Sequence, residues 1–329
     1  MRKVLLATTA LVAMGGVSAT SADITVSGSA SYNYITNSGS GSTGSGTTET
    51  GPAKAESRDM STTVDADISM STSLDNGMSM SGLISLHEGG VDDSGWSITG
   101  DFGTVAFGGT ANDGFGTTNT GTTADEGNTF STTDGVAATG YPAGTPLTAS
   151  PYKATHNDFI PHSNVSITLP TVSGFTLGLG MTDGATNAAD GTQWGVTYAM
   201  DAGSMDVTVA YASSSAGSGS ANDASSAGVT VVAGDATIKV ARNEIDTYEA
   251  SSVGVSYAVS DALTVQAYTG TTEKSDLAAY EVKDTGLGLT YTVTTGLSIS
   301  VTNNDFTGKG GEALAQDGTR TVIALDATF

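Results

Sequence analysis

Carboxylates are the groups with which this chain could do chemistry. Its 329 residues hold 34 Asp and Glu against 11 Lys and Arg, with 3 His and no Cys, for a formal net charge of −23. Paired carboxylates act in acid–base catalysis when a nucleophile, a base or an oxyanion device stands with them. Asp65 and Asp67 sit at i and i+2 of an alternating segment, on one face of a strand, with no such companion. They read as polar lining. His156, Asp158 and His162 suggest a metal site by proximity but lack helical spacing and a fourth ligand. The acidic pairs Asp92-Asp93 and Asp125-Glu126, with Asp183, offer hard oxygens that Ca²⁺ on acidic loops would use, yet none follows an EF-hand or nonapeptide pattern. Solvated loop charge is the simpler expectation, and no other cofactor is implied. Gly39 to Gly44 fits the dinucleotide expression G-x-G-x-x-G, but it lies in a Ser/Gly-rich stretch with no βαβ unit around it.

Composition removes whole classes of function. A strongly acidic chain does not neutralise phosphates, so nucleic acid is excluded as a partner. Without cysteine there is no thiol chemistry and no disulfide, so stability has to come from an extensive sheet or core. Met1, Arg2 and Lys3 precede an apolar run from Val4 to Val17 and then small residues through Ala22, the order of a secretory signal peptide. Residues 1–22 are expected to be that peptide, cleaved after Thr20-Ser21-Ala22, with Val17-Ser18-Ala19 the weaker alternative. Residues 23–329 form one domain.

The elements that must position these groups are strands. Ile24, Val26, Gly28, Ala30, Tyr32 and Tyr34 alternate with Thr25, Ser27, Ser29, Ser31 and Asn33. Met60, Thr62, Val64, Ala66, Ile68 and Met70 alternate in the same way with Asp59, Ser61, Thr63, Asp65, Asp67 and Ser69. Tight turns such as Asp75-Asn76-Gly77, Asp101 to Gly103 and Gly234-Asp235 separate such runs. The pattern predicts sixteen strands, near 23–35, 57–74, 78–87, 95–100, 104–110, 162–170, 175–182, 192–200, 205–213, 225–233, 236–243, 249–259, 262–270, 283–293, 297–303 and 320–329. Short turns and long loops are expected to alternate strictly between them. A sandwich would turn its apolar faces together, whereas a membrane barrel turns them to lipid. The leader, the one-sided loop lengths and the hydroxyl- and acid-rich polar faces favour the barrel. Aromatic residues near strand ends, including Tyr32, Tyr34, Trp96, Trp194, Tyr198, Tyr211 and Tyr257, suit interfacial girdles. The fold expected is all-β: a 16-stranded antiparallel transmembrane β-barrel with short periplasmic turns and long extracellular loops. Ile323, Leu325, Ala327 and Phe329 share one face of the last strand, which must be tied into the sheet.

The hairpin Trp96-Ser97-Ile98-Thr99-Gly100-Asp101-Phe102-Gly103-Thr104-Val105-Ala106-Phe107-Gly108, the start Asp23-Ile24-Thr25-Val26-Ser27-Gly28 and the terminal Phe329 resemble the Gram-negative general porins, particularly their alphaproteobacterial, Rhodobacter-type branch. The resemblance implies a trimeric outer-membrane channel for small hydrophilic solutes, surrounded by outer-membrane lipid and lipopolysaccharide. It also implies that the barrel-assembly machinery reads Phe329. The connection of about residues 111–161 would be the pore-constricting loop, placing Asp113, Asp125, Glu126, Asp134 and Asp158 at the constriction, while the inward parity of the wall offers Lys239 and Arg320. Asp65 and Asp67 would line the pore. Arg58 and Arg242 fall on the apolar parity and are expected at the rim. So few bases imply a cation preference. The outward Gly28, Ala30, Met80 and Gly82 would let the first five strands pack against neighbouring subunits. A secreted or surface-attached β-rich adhesin or surface-layer protein is the rival class, and an enzyme is not expected.

Overall fold

Strands with one apolar face leave unpaired edges, and in hydrocarbon an unpaired edge has no water to satisfy it; closing the sheet on itself removes the problem. The computed structural model describes residues 22–40, 54–87, 90–108, 165–182, 191–216, 223–245, 248–274, 281–309 and 317–329. These form sixteen strands: β1 (Ala22–Ser40), β2 (Lys54–Ser73), β3 (Ser79–His87), β4 (Gly90–Gly100), β5 (Gly103–Gly108), β6 (Val165–Thr168), β7 (Phe175–Thr182), β8 (Gly191–Asp201), β9 (Met205–Ala216), β10 (Ala224–Ala233), β11 (Ala236–Ile245), β12 (Tyr248–Ser260), β13 (Leu263–Lys274), β14 (Glu281–Thr294), β15 (Leu297–Lys309) and β16 (Asp317–Thr328). Each pairs antiparallel with its neighbours in sequence, and β16 pairs with β1 to close the barrel.

The closure runs from Ser29 opposite Thr328 to Ser40 opposite Asp317. One residue beyond the last strand, the Phe329 amide donates to the Gly28 carbonyl at 2.9 Å and the Gly28 amide donates to the Phe329 carbonyl at 2.7 Å. The final residue is thus an integral rung. Its ring covers Gly28, where a Cβ would stand 2.6 Å from Phe329 Cε2 and push the exposed ring aside.

Cross-strand partners share a face, so the register carries the faces around the ring. Tyr32, Tyr34, Trp96, Trp194, Tyr198, Tyr211, Tyr257 and Phe329 all fall on the outward parity, as expected, and Trp96 stacks on Phe107 with ring centroids 4.3 Å apart. Met60, Val64, Met181 and Leu287 are strongly exposed there. Near the end opposite the tight turns, the outward parity becomes charged. Glu244, Glu249, Glu273 and Glu281 are successive cross-strand neighbours on β11 to β14. Arg242, one step inward along the wall, reaches Glu244 at 2.7 Å and Glu249 at 3.0 Å, and Lys283 reaches Glu281 at 3.3 Å. The Arg242 pairs are exposed and the Lys283 pair half-exposed, of the kind that adds little stability. Arg58 is likewise outward and exposed.

Two expectations change. Short turns and long loops do not alternate strictly: β3 and β4 are joined across residues 88–89, and β11 and β12 across residues 246–247. There β4, β11 and β12 run beyond their expected bounds as polar ladders, a continuation that hydropathy does not mark. Asp92-Asp93 accordingly lies in β4 and not in a loop. Secondly, the inward parity is not polar throughout. Ile35, Ala210, Ala212, Ala241, Val322 and Ala324 face inward and are buried, as are Ser166, Gln193, Ser226, Thr302 and Asn304. Tyr268 joins them at 4 % exposure, its ring lying where a Cβ on Gly286 would collide with it. Gly286→Ala is expected to displace that ring and lower stability by about 1–3 kcal/mol. The check is the temperature at which the folded band converts to the unfolded one on a heat-modifiability gel, with Gly288→Ala, where the nearest contact is 3.1 Å, as the milder comparison.

Candidate functional site

A barrel wall acts on solutes only where its inward side chains meet water. The buried inward band is interrupted at β2 to β4: Ser61, Thr63, Asp65 and Asp67 are half-exposed on β2, and Ser81 and His87 are exposed on β3. The short repeat of Ser and Thr at alternate positions produces this surface, because every second residue of three adjacent strands points the same way. Hydroxyl pairs tie the rows across strands: Ser31 with Thr63 at 2.5 Å, Ser81 with Ser97 at 2.7 Å, and Thr99 with Thr104 at 2.9 Å.

Asp65 is the centre of the lane. It sits directly opposite Ser29 on β1 and His87 on β3, so all three side chains meet on one row. His87 Nδ1 contacts Asp65 Oδ1, and the Ser29 hydroxyl donates to Asp65 Oδ2 over a long 3.5 Å. Asp67 follows two residues along the same face, opposite Ser27 and Ser85. Asp326 enters from β16, opposite Ser31. The residue types are those of a hydrolytic triad, but the carboxylate stands in the middle, so the hydroxyl addresses the acid and not the imidazole. What the row offers is negative charge and oxygen to a hydrated solute.

The remaining predicted residues fall as follows. Lys239 is inward on β11, opposite Thr230 and Gly254. In the closed strand order β11 lies across the ring from β2, so this ammonium faces the acidic lane from the other side. Arg320 occupies the inward register of β16, between Asn37 and Asn304, only two strands from β2. The structure therefore separates the two bases instead of gathering them. Asp113, Asp125, Glu126, Asp134 and Asp158, with the whole connection 111–161, lie outside the described residues, as do residues 1–21, His156, His162 and Asp183. Among the described residues no group of three or more His, Cys, Asp or Glu is arranged to hold a metal ion. By register the inward acids Asp23, Asp59, Asp65, Asp67, Asp93, Asp201, Asp206, Asp284 and Asp326 stand against the inward bases Lys239, Lys274 and Arg320. His87 escaped the sequence reading: it follows the apolar run of β3 and its partner is 22 residues away, a contact visible only once the register between β2 and β3 is known.

The model of the Gram-negative porin family matches residues 7–317. The chain belongs to the Gram-negative porins. The barrel has close counterparts among solved structures. The anion-selective porin from Comamonas acidovorans superposes with a TM-score of 0.62 at 13% identity, covering 94% of this chain and 100% of that one. A mutant of Rh. blastica porin gives 0.59 at 16% identity, over 93% and 100% of the two chains. OmpT of Vibrio cholerae in its trimer form gives 0.56 at 13% identity, over 94% and 100%. At such identities the likeness is one of fold. No curated protein sequence matches significantly. Family and barrel together support an outer-membrane diffusion channel.

Proposed function

We propose that this porin forms a water-filled pore through which small hydrophilic solutes and ions diffuse passively, with a preference for cations. The observation that carries it is the closed ring of sixteen strands with apolar residues outward and an accessible, acid- and hydroxyl-rich lane inward. An excess of inward carboxylates over ammonium groups raises the local concentration of cations and lowers that of anions. The anion-selective relative shares the fold at 13% identity, so charge preference rests on each chain's own wall residues. Residues 1–22 serve as the export signal, and 111–161 form the constricting loop whose acids add to the lane. The outward wall of β1 to β5, including Gly28, Ala30, Met80 and Gly82, is the surface for a homotrimer, a state for which a structural neighbour offers a precedent. The rest of the wall meets outer-membrane lipid and lipopolysaccharide, and Phe329 is the feature the assembly machinery reads. The porin family supports a channel without enzymatic activity.

Purified protein in a planar lipid bilayer tests the reading. Discrete conductance steps are expected, with a reversal potential of cation-selective sign in a salt gradient. A water-soluble chain that never conducts would instead support the adhesin, and steps with the opposite sign would remove the cation preference alone.

A further inference from the structure

We infer that His87 and Asp65 form a titratable charge pair that sets the ion selectivity of the pore wall. The inference rests on the channel reading and deepens it. The two side chains come from directly opposed positions on β2 and β3, and the imidazole Nδ1 contacts the carboxylate. Both remain open to water: their side chains are 46% and 38% exposed. They therefore belong to the wetted lane and not to the buried band that surrounds it.

Histidine is the side chain whose charge ordinarily changes between about pH 5 and pH 8. With a neutral imidazole the pair carries the single negative charge of Asp65. Protonation of His87 brings a cation against that carboxylate and makes the pair neutral, so the lane loses one of its fixed charges. The charged groups nearest the row on the packed elements are carboxylates, the inward base of β16, Arg320, standing further along opposite Asn37. Asp67 faces the row from β2 and Asp326 from β16, Asp93 of β4 holds the register position opposite Ser85, and β1 contributes only the hydroxyls of Ser27, Ser29 and Ser31. No described neighbour reverses the change, and fixed charges separated by less than a Debye length of about 10 Å at moderate salt act together on a passing ion. Mild acid thus weakens cation preference through one residue.

Reversal potentials in a potassium chloride gradient across a planar bilayer test this, measured at about pH 8 and about pH 5. The unaltered porin is expected to lose cation-over-anion permeability on the order of twofold between them. His87→Gln is expected to hold the higher ratio at both values. Asp65→Asn is expected to show the lower ratio already at the alkaline value. A ratio in the unaltered porin that does not change with pH would overturn the inference, whatever the variants do. So would a full acid-induced fall in His87→Gln. Absence of any conductance would sink the channel reading itself, an outcome distinct from steady conductance with a constant reversal potential.

Discussion

Deleting Phe329 is expected to destabilise the barrel by about 2 kcal/mol, since two backbone hydrogen bonds worth about 1 kcal/mol each are lost together. At about 1.4 kcal/mol per decade this is about a thirtyfold shift in the folding equilibrium. The lost bonds are those between Gly28 and the Phe329 amide and carbonyl, at 2.9 and 2.7 Å. They close the seam between first and last strands at its turn end. With the outward wall set in lipid, as proposed, the freed Gly28 groups would find no water in exchange, so the loss is expected to be larger in a bilayer than in detergent. Refolding of purified chains into lipid vesicles and into micelles, followed on heat-modifiability gels, measures both. Phe329→Ala keeps the rung and loses only the ring over Gly28, so it is expected to fall between the deletion and the unaltered chain. Conductance of whatever channels form is expected to stay the same, since the residue faces outward at 75% exposure. Normal assembly of the deletion with altered conductance would contradict its placement.

The second large effect is expected from reversing charge in the accessible lane. Asp65→Lys combined with Asp67→Lys changes the local wall charge by about four units and leaves Asp326 as the nearest described carboxylate of that face. Lys239 then stands across from two further ammonium groups in place of two acids. The variant is expected to invert the sign of the reversal potential, with anion preference at least several-fold. Strand pairing survives, because inward side chains at this row meet water and the outward apolar partners Val64, Ala66 and Ile68 are untouched. Raising the salt concentration is expected to shrink the difference between variant and parent, the mark of screened wall charge rather than of altered pore width. Retained cation preference at low salt would show that selectivity is set elsewhere, with the connection 111–161 the place to look.

How much of this was legible in the chain depends on the range of the interaction. Alternation at Ile24 to Tyr34 or Met60 to Met70 is local, so strand number, faces and the outward aromatics could be read directly. Closure was legible because a last strand running from Ile323 to Phe329 must be tied into the sheet. The polar extensions of β4, β11 and β12 were not legible, because Asp92-Asp93 or Glu244 looks the same in a ladder as in a loop. Nor was the His87 contact, since parity says which face a residue takes but not which row it joins. Register depends on pairing over tens of residues. The buried inward alanines illustrate the same limit: Ala210 and Ala212 have the right parity for a pore lining, yet their exposure depends on the whole interior.

The outward row of Glu244, Glu249, Glu273 and Glu281 also works as a ruler. On β12 the aromatic Tyr257 marks the turn end of the lipid-facing wall and Glu249 marks the first charge at the other, with Val253 and Val255 between them. That interval of about eight residues, at about 3.3 Å each and with the strands tilted by roughly 40°, spans on the order of 20 Å. A carboxylate row cannot sink into hydrocarbon without losing its water. The thickness of apolar layer that this side of the barrel tolerates is therefore bounded by the four glutamates with Arg242 and Lys283 beside them, and it matches a thin membrane better than a thick one.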